Sequence, residues 1–346
     1  MHWKAIHSRL AQRRIYLIGL CFVLVAALLT SLTVAMVWKE AAAQAERQAQ
    51  SELFHIAAGL RERLDRRMAD FCRVAKINAE LESAENPSGT PGLRRRTLDH
   101  MSKQWPEFTW IAFASLDGRV LQATGNLLEG QDISLRPWFQ RAMSGKHVTD
   151  VHQALLLQDL LGSNEPLRFV DITYPVRDQQ GNPKSILAVH ASWEFANVIA
   201  KASREAAETE AGLELLIHDS QGNVLLGPNG EPRLEEEVLR NLQAASRLLK
   251  VESRSDQTSQ FVVHVASLGM NDFPGLGWII TARQDTQEAM KPLREFETRL
   301  WFWSGMGLLT FIAFAAALAY GMSRPLPLEE EAPAPGPEES GRPSDE

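Results

Sequence analysis

Two uncharged apolar runs constrain this chain more than any other feature. Ile15 to Val37 (IYLIGLCFVLVAALLTSLTVAMV) and Leu300 to Met322 (LWFWSGMGLLTFIAFAAALAYGM) contain no Asp, Glu, Lys or Arg. At 1.5 Å of rise per residue, each is long enough for a helix to cross a hydrocarbon core of roughly 30 Å. Residues 38–299 between them have ordinary globular composition, and residues 323–346 after them are rich in Pro and Glu. The pattern predicts two transmembrane helices, 15–37 and 300–322, with one folded region held between them.

Basic residues set the expected orientation. Lys4, Arg9, Arg13 and Arg14 precede the first run, whereas Lys39 and Glu40 nearly cancel just after it. Positive charge stays on the cytoplasmic side. Residues 1–14 are therefore expected in the cytoplasm and 38–299 in the periplasm, anchored in a bacterial inner membrane. Trp38, Trp301 and Trp303 fall near the outer ends, where indoles favour the interface. Ala41-Ala42-Ala43-Gln44-Ala45 offers small residues for signal cleavage, but the apolar core exceeds the 7–15 residues of a signal peptide. Retention is the expectation.

The formal charge of −7, with no basic stretch in the middle region, argues against a nucleic-acid partner. Of the two cysteines, Cys21 lies in the first run and Cys72 outside it, so no disulfide is expected. Cys72 reads as a small buried apolar residue.

From Lys39 to Leu81 there is no Pro and only one Gly, Gly59. Leu53, Ile56, Leu60, Leu64, Met68, Phe71 and Ala75 recur every three or four residues, which predicts one long helix with an apolar stripe. Asn86 to Gly92 reads as a loop. Strand signals follow at Phe108 to Ser115, Val120 to Thr124, Val148 to Val151, Phe169 to Val176 and Ser185 to Ala191, with a short helix at Arg136 to Ser144. A helix from Trp193 to about Glu210 closes this set. Part of the pattern then repeats. Ile111 to Leu121 resembles Leu215 to Leu225, with Gly118 over Gly222, and each stretch reads strand, glycine turn, strand. Phe261 to Ser267 and Trp278 to Arg283 supply further strands, and a helix from Thr286 to Arg299 leads into the second apolar run. The expected class is α+β: two related lobes with antiparallel sheets, about 80–210 and 211–285, fed by the long N-terminal helix. The tail from 323 on cannot bury enough apolar surface to order itself.

Several stretches then resemble one family. Asp117-Gly118-Arg119-Val120, Asp132 to Phe139 (DISLRPWF), Tyr174-Pro175-Val176-Arg177-Asp178, Ile217 to Gly222 (IHDSQG) and Phe273 to Trp278 (FPGLGW) are similar, in that order, to the double Cache sensor domain. The likeness covers roughly 39–299. It implies an extracytoplasmic receptor with two PAS-like lobes, often a homodimer through its long helix, that binds a small-molecule ligand in the membrane-distal, first lobe. Relatives include chemoreceptors, histidine kinases and diguanylate cyclases. Ser323-Arg324-Pro325-Leu326 resembles the start of their output linker, and no output module follows it here. The expectation is therefore a sensor subunit that signals through a separate histidine kinase, diguanylate cyclase or chemoreceptor. The alternatives are a non-sensing Cache-fold interaction protein that pairs with full-length receptors, or a truncated receptor.

The resemblance also points to site residues. Relatives that bind amino acids hold the ligand carboxylate with an Arg-x-Trp pair, here Arg136 and Trp138. The chemistry suits that role, because a guanidinium fork grips a carboxylate and an indole N–H adds a donor. Otherwise Trp138 packs in the lobe and Arg136 makes a structural ion pair. His152 falls where those relatives often have Tyr, and His190 where they often have an Asp for the ligand amine. Imidazoles suit an anion better than an amine, which moves the expected ligand from an α-amino acid toward another carboxylate or anion. Asp171, on the strand between them, is placed to orient an imidazole. The plainer reading is two partly buried histidines satisfied by backbone carbonyls. His152, Asp171 and His190 are also suitable zinc ligands, but their spacing matches no compact metal motif, so neither metal nor cofactor is expected. Trp110, Tyr174 and Asp150 are further candidates on strands. No nucleophile motif and no glycine-rich phosphate loop is present, so no enzymatic activity is expected.

Overall fold

The computed structural model describes residues 2–86, 88–153, 167–207, 212–228, 230–245, 247–253 and 259–322, with side chains throughout except at 2–12, 15, 247–253 and 322. The tail from 323, with its linker-like Ser323 to Leu326, lies outside the described residues. So does the expected helix end at 208–210. The chain divides into two compact units, Ala43–Pro292 and the pairing of Met1–Ala42 with Leu293–Glu346.

The element order is α1 (His2–Glu85), α2 (Pro91–Gln104), β1 (Phe108–Ser115), β2 (Val120–Ala123), α3 (Pro137–Met143), β3 (Val148–Gln153), β4 (Arg168–Arg177), β5 (Pro183–Ser192) and α4 (Glu194–Glu205). Then come β6 (Leu213–His218), β7 (Val224–Leu226), α5 (Glu236–Ala244), β8 (Arg247–Ser253), β9 (Ser259–Ala266), β10 (Ile279–Asp285), α6 (Thr286–Ala289) and α7 (Lys291–Met322). The two apolar runs lie in α1 and α7, both long and apolar enough to cross a membrane. Leu24, Leu28, Phe302, Trp303 and Phe314 in them are exposed, as side chains meant for lipid would be.

Within 43–292, two five-stranded antiparallel sheets share one topology. Their orders are β2-β1-β5-β4-β3 and β7-β6-β10-β9-β8. The internal repeat read from the sequence is thus a repeat of whole lobes. Its two anchor glycines sit at φ +90° (Gly118) and +84° (Gly222), a backbone region that glycine enters without steric cost. At Gly118 a Cβ would lie 2.6 Å from Ser134, so the turn also depends on close approach.

The helical stripe is the spine of the core. Leu53, Ala57, Leu60, Leu64, Met68, Phe71, Cys72, Ala75 and Ala79 are buried in one cluster with both sheets. Ile111, Phe113, Val170, Ile172 and Val189 face it from the lobe built on β1–β5, the distal lobe, and Leu215, Ile217, Val263, Val265 and Ile280 from the lobe built on β6–β10, the proximal lobe. Each Leu, Met or Phe so buried contributes about 1.5–3 kcal/mol. Polar ties fix the helix to each lobe. Arg67 pairs with Glu107 and Arg94 with Glu82 (2.7 Å) on the distal side. On the proximal side the Ser267 hydroxyl donates to Asp65 at 2.5 Å, and Lys76 pairs with Asp272 at 2.9 Å.

The lobes also meet directly. Trp278, fully buried just before β10, donates its indole N–H to Asp150 of β3 at 2.8 Å and packs edge-on against Trp193, 5.0 Å between centroids. Three elements escaped the sequence reading: α2, α5 and β8. α2 carried a signal, since a proline in the first helical turn is a common start and Pro91 occupies it. The adjoining Asn-Pro-Ser-Gly-Thr-Pro-Gly run masked it as loop.

Candidate functional site

Alternation along the distal strands sorts side chains onto two faces. One face of the sheet meets α1. The other carries Trp110, Ala112, Ala114, Phe169, Ile186 and Ala188 and is covered by Trp138 and Phe139 of α3. On this outer face, strand register lines up a row of polar and aromatic groups. Trp110 of β1 pairs with His190 of β5, His190 with Asp171 of β4, and Asp171 with Thr149 of β3.

The geometry around His190 is tight. Its ring stacks on Trp110 at 4.8 Å and 21°, and Trp138 meets it edge-on at 5.2 Å. Trp110 and Trp138 meet at 6.2 Å, and the Trp110 indole donates to the Leu127 carbonyl at 3.2 Å. Asp171, 1% exposed, places one carboxylate oxygen against His190 Nδ1 and the other 3.4 Å from His152 Nε2. Both oxygens and His190 Nδ1 are buried without a hydrogen bond of good geometry, despite the close ion-pair approach. Buried polar atoms are rarely left so, and they gather here at one point. With an Nδ1–H turned to Asp171, the Nε2 of a neutral His190 ring is a hydrogen-bond acceptor.

A β-bulge places His152. Thr149 pairs with Asp171 and His152 with Phe169, so β3 holds one residue more than β4 between those pairs. The extra residue turns His152 onto the same face as Thr149, where strict alternation would send it to the opposite side. It also turns the Asp150 carboxylate to Trp278, while the Asp150 carbonyl lies 3.2 Å from His152 Nδ1. Burial pushes the Asp150 carboxyl above its ordinary pKa against the opposing pull of that indole.

The structure thus brings together Trp110, Trp138, His152, Asp171 and His190. Arg136 stands at the N-terminal cap of α3, two residues from Trp138, exposed and without an ion pair among the described residues. Tyr174 does not join them. It lies an odd number of residues from Asp171 on β4 and so faces α1, where its ring stacks on His147 at 5.0 Å. Burial there raises its phenol pKa, and burial likewise pushes the neighbouring Cys72 thiol up to about 12. Phe169, Phe139 and Thr149 lie on the same face as this cluster and were not singled out from the sequence. Phe169 was legible, lying two residues from Asp171 on a predicted strand. Among the described residues, no group of three His, Cys, Asp or Glu is arranged to hold a metal ion.

No protein-family model matches the chain, and no curated protein matches its sequence. Solved structures do match its fold. The ligand-binding domain of the Pseudomonas aeruginosa amino acid chemoreceptor PctB, in complex with L-Arg, aligns with a TM-score of 0.51 at 14% identity, covering 69% of this chain and 96% of that one. The ligand-binding domain of the Pseudomonas fluorescens chemoreceptor CtaA, in complex with L-isoleucine, gives 0.51 at 12% identity, covering 71% and 96%. An extracellular ligand-binding receptor from Desulfohalobium retbaense gives 0.50 at 15% identity over 66% of this chain, which spans 39% of that receptor's length. At such identities the likeness is one of fold, and that fold is the one used by extracellular ligand-binding domains.

Proposed function

We propose that this chain is a membrane-anchored, periplasmic sensor of the double Cache type, and that its distal lobe binds a small molecule bearing a carboxylate. The observation that carries this reading is the gathering of Trp110, Trp138, His152, Asp171 and His190 on the outer face of the distal sheet, beneath a helix whose N-terminal cap is the exposed Arg136. Arg136 and the Trp138 indole would hold the carboxylate, and the tryptophan rings would wall the rest of the ligand. Asp171 is already flanked by two imidazoles, which favours an acid without an α-ammonium group over an amino acid. The cluster contains no serine or cysteine nucleophile, so the proposal is binding without catalysis.

Ligand seated there would draw α3 toward β4 and β5. The change would reach the proximal lobe through Asp150 and Trp193, which both contact Trp278 at the start of β10. Beyond β10 the chain runs through α6 into α7, the second apolar helix. Ile77 and Leu81, one turn apart on α1 and about half exposed, provide a face on which two copies would pair as a homodimer. A thermal-shift screen of small carboxylates and amino acids on the detergent-solubilised chain tests the reading. A stabilising carboxylate whose effect is lost in W138A is the expected result, and a response unchanged by W138A would refute the assignment of the site.

A further inference from the structure

The matched topology of the lobes allows their outer faces to be compared position by position. Trp110 and His190 form a cross-strand pair in the distal lobe, and Glu214 and Arg283 form the corresponding pair in the proximal lobe. The turn hydrogen bonds agree with this alignment. Ile133 N donates to the Gly118 carbonyl at 2.7 Å, and Leu234 N to the Gly222 carbonyl at 3.0 Å. Arg283 therefore occupies the place of His190, and the loop between β7 and α5 corresponds to the loop between β2 and α3 that leads to Arg136.

In the proximal lobe that loop delivers Glu231. Its carboxylate meets the Arg283 fork at both ends, Nη1 with Oε1 and Nη2 with Oε2, the latter at 2.8 Å, while Nε donates to Glu214 at 2.6 Å. Arg283 is 9% exposed. A buried guanidinium gripped two-fold by one carboxylate is the geometry in which a free carboxylate ligand would be bound. In the distal lobe the corresponding loop carries Glu129, turned away to Arg95 and the Ala123 N–H, and Asp132, which accepts from Ser134 N at 2.8 Å. Glu214 and Glu231 also border an open cavity of about 1010 Å³ whose lining includes Arg168, Asn197 and Arg204.

We propose that the proximal lobe contains a carboxylate-binding site centred on Arg283, which the chain fills with its own Glu231. Glu231 acts as a resident, tethered ligand, and a small carboxylate binds when Glu231 is displaced from Arg283. The inference holds whether or not the distal lobe binds a carboxylate.

Chemical rescue tests it. The full chain in detergent is melted in sodium acetate and in sodium chloride of equal ionic strength, as wild type, E231A and the double variant E231A/R283A. E231A is expected to melt lower than wild type, and acetate is expected to restore at least half of that loss saturably where chloride does not. Wild type and the double variant should gain no more from acetate than from chloride. If acetate and chloride act alike on E231A, or if the double variant is rescued equally, the site does not exist. Should E231A fail to fold, E231S also vacates the fork and is read by the same titration with the same two outcomes.

Discussion

The contact between Trp278 and Asp150 yields a prediction whose size follows from the geometry. Replacing Trp278 with Phe removes an indole N–H that donates at 2.8 Å to a largely buried carboxylate. A hydrogen bond to a charged group contributes about 1.5–3 kcal/mol. The smaller ring leaves a partial void beside Trp193 and Phe273, adding about 1 kcal/mol, a fraction of the cost of a full truncation to Ala. The total is about 3 kcal/mol, or roughly 6–12 °C in melting temperature for a unit of this size. Circular-dichroism melts of the detergent-solubilised chain measure it. D150A should lose stability in the same way, and the cycle through the double variant should return a coupling of about 1.5–3 kcal/mol. D150N, which keeps an acceptor oxygen, should retain most of the stability. Burial holds the Asp150 carboxyl above its ordinary pKa, so the folded chain keeps that proton at pH values where the unfolded chain has released it. This contribution to stability is full below the unfolded value and is lost as pH rises through the folded one. D150N should abolish that slope. Additive effects of the two single variants, within about 0.5 kcal/mol, would refute the direct link between lobes.

Other outcomes follow from the same structure. Glu82→Ala leaves the buried Arg94 guanidinium without its carboxylate and should cost about 3–5 kcal/mol in denaturant titration. Gly118→Ala should destabilise by about 1–3 kcal/mol because of its positive φ and the clash with Ser134. Gly59→Ala, in α1 with open space around it, should be neutral or stabilising by up to about 1 kcal/mol. Burial depresses the pKa of His218, so its contribution to stability is present above about pH 6.5 and is lost as pH falls below that value, where the unfolded chain binds the proton first. Melts between pH 7.5 and 5 should show that loss in wild type and a shallower one in H218L.

Much of the fold was legible because period carries most of the information. The stripe from Leu53 to Ala75 marked the spine, and both lobes followed from the strand–glycine–strand repeat around Gly118 and Gly222. What escaped was local. α2 hid in a stretch of turn residues, and α5 with β8 is short and marked by no strong start signal. The site was legible as residue types more than as an arrangement. His152 reaches the outer face only through a bulge that alternation does not foresee, and Tyr174 falls on the α1 face because it lies three residues, an odd step, from Asp171. The role of Arg283 was invisible, since its partner Glu231 arrives from a loop 52 residues earlier.

The most direct test of the central claim is titration calorimetry of small carboxylates against the full chain, with R136A, W138A and H190A measured in parallel. The account predicts saturable binding of at least one carboxylate at one site per chain. Each variant should weaken it about ten-fold or more, equivalent to about 1.4 kcal/mol, while retaining the wild-type melting profile of the proximal lobe. Binding that survives all three substitutions unchanged would contradict the account, as would the absence of binding by any carboxylate in a broad panel.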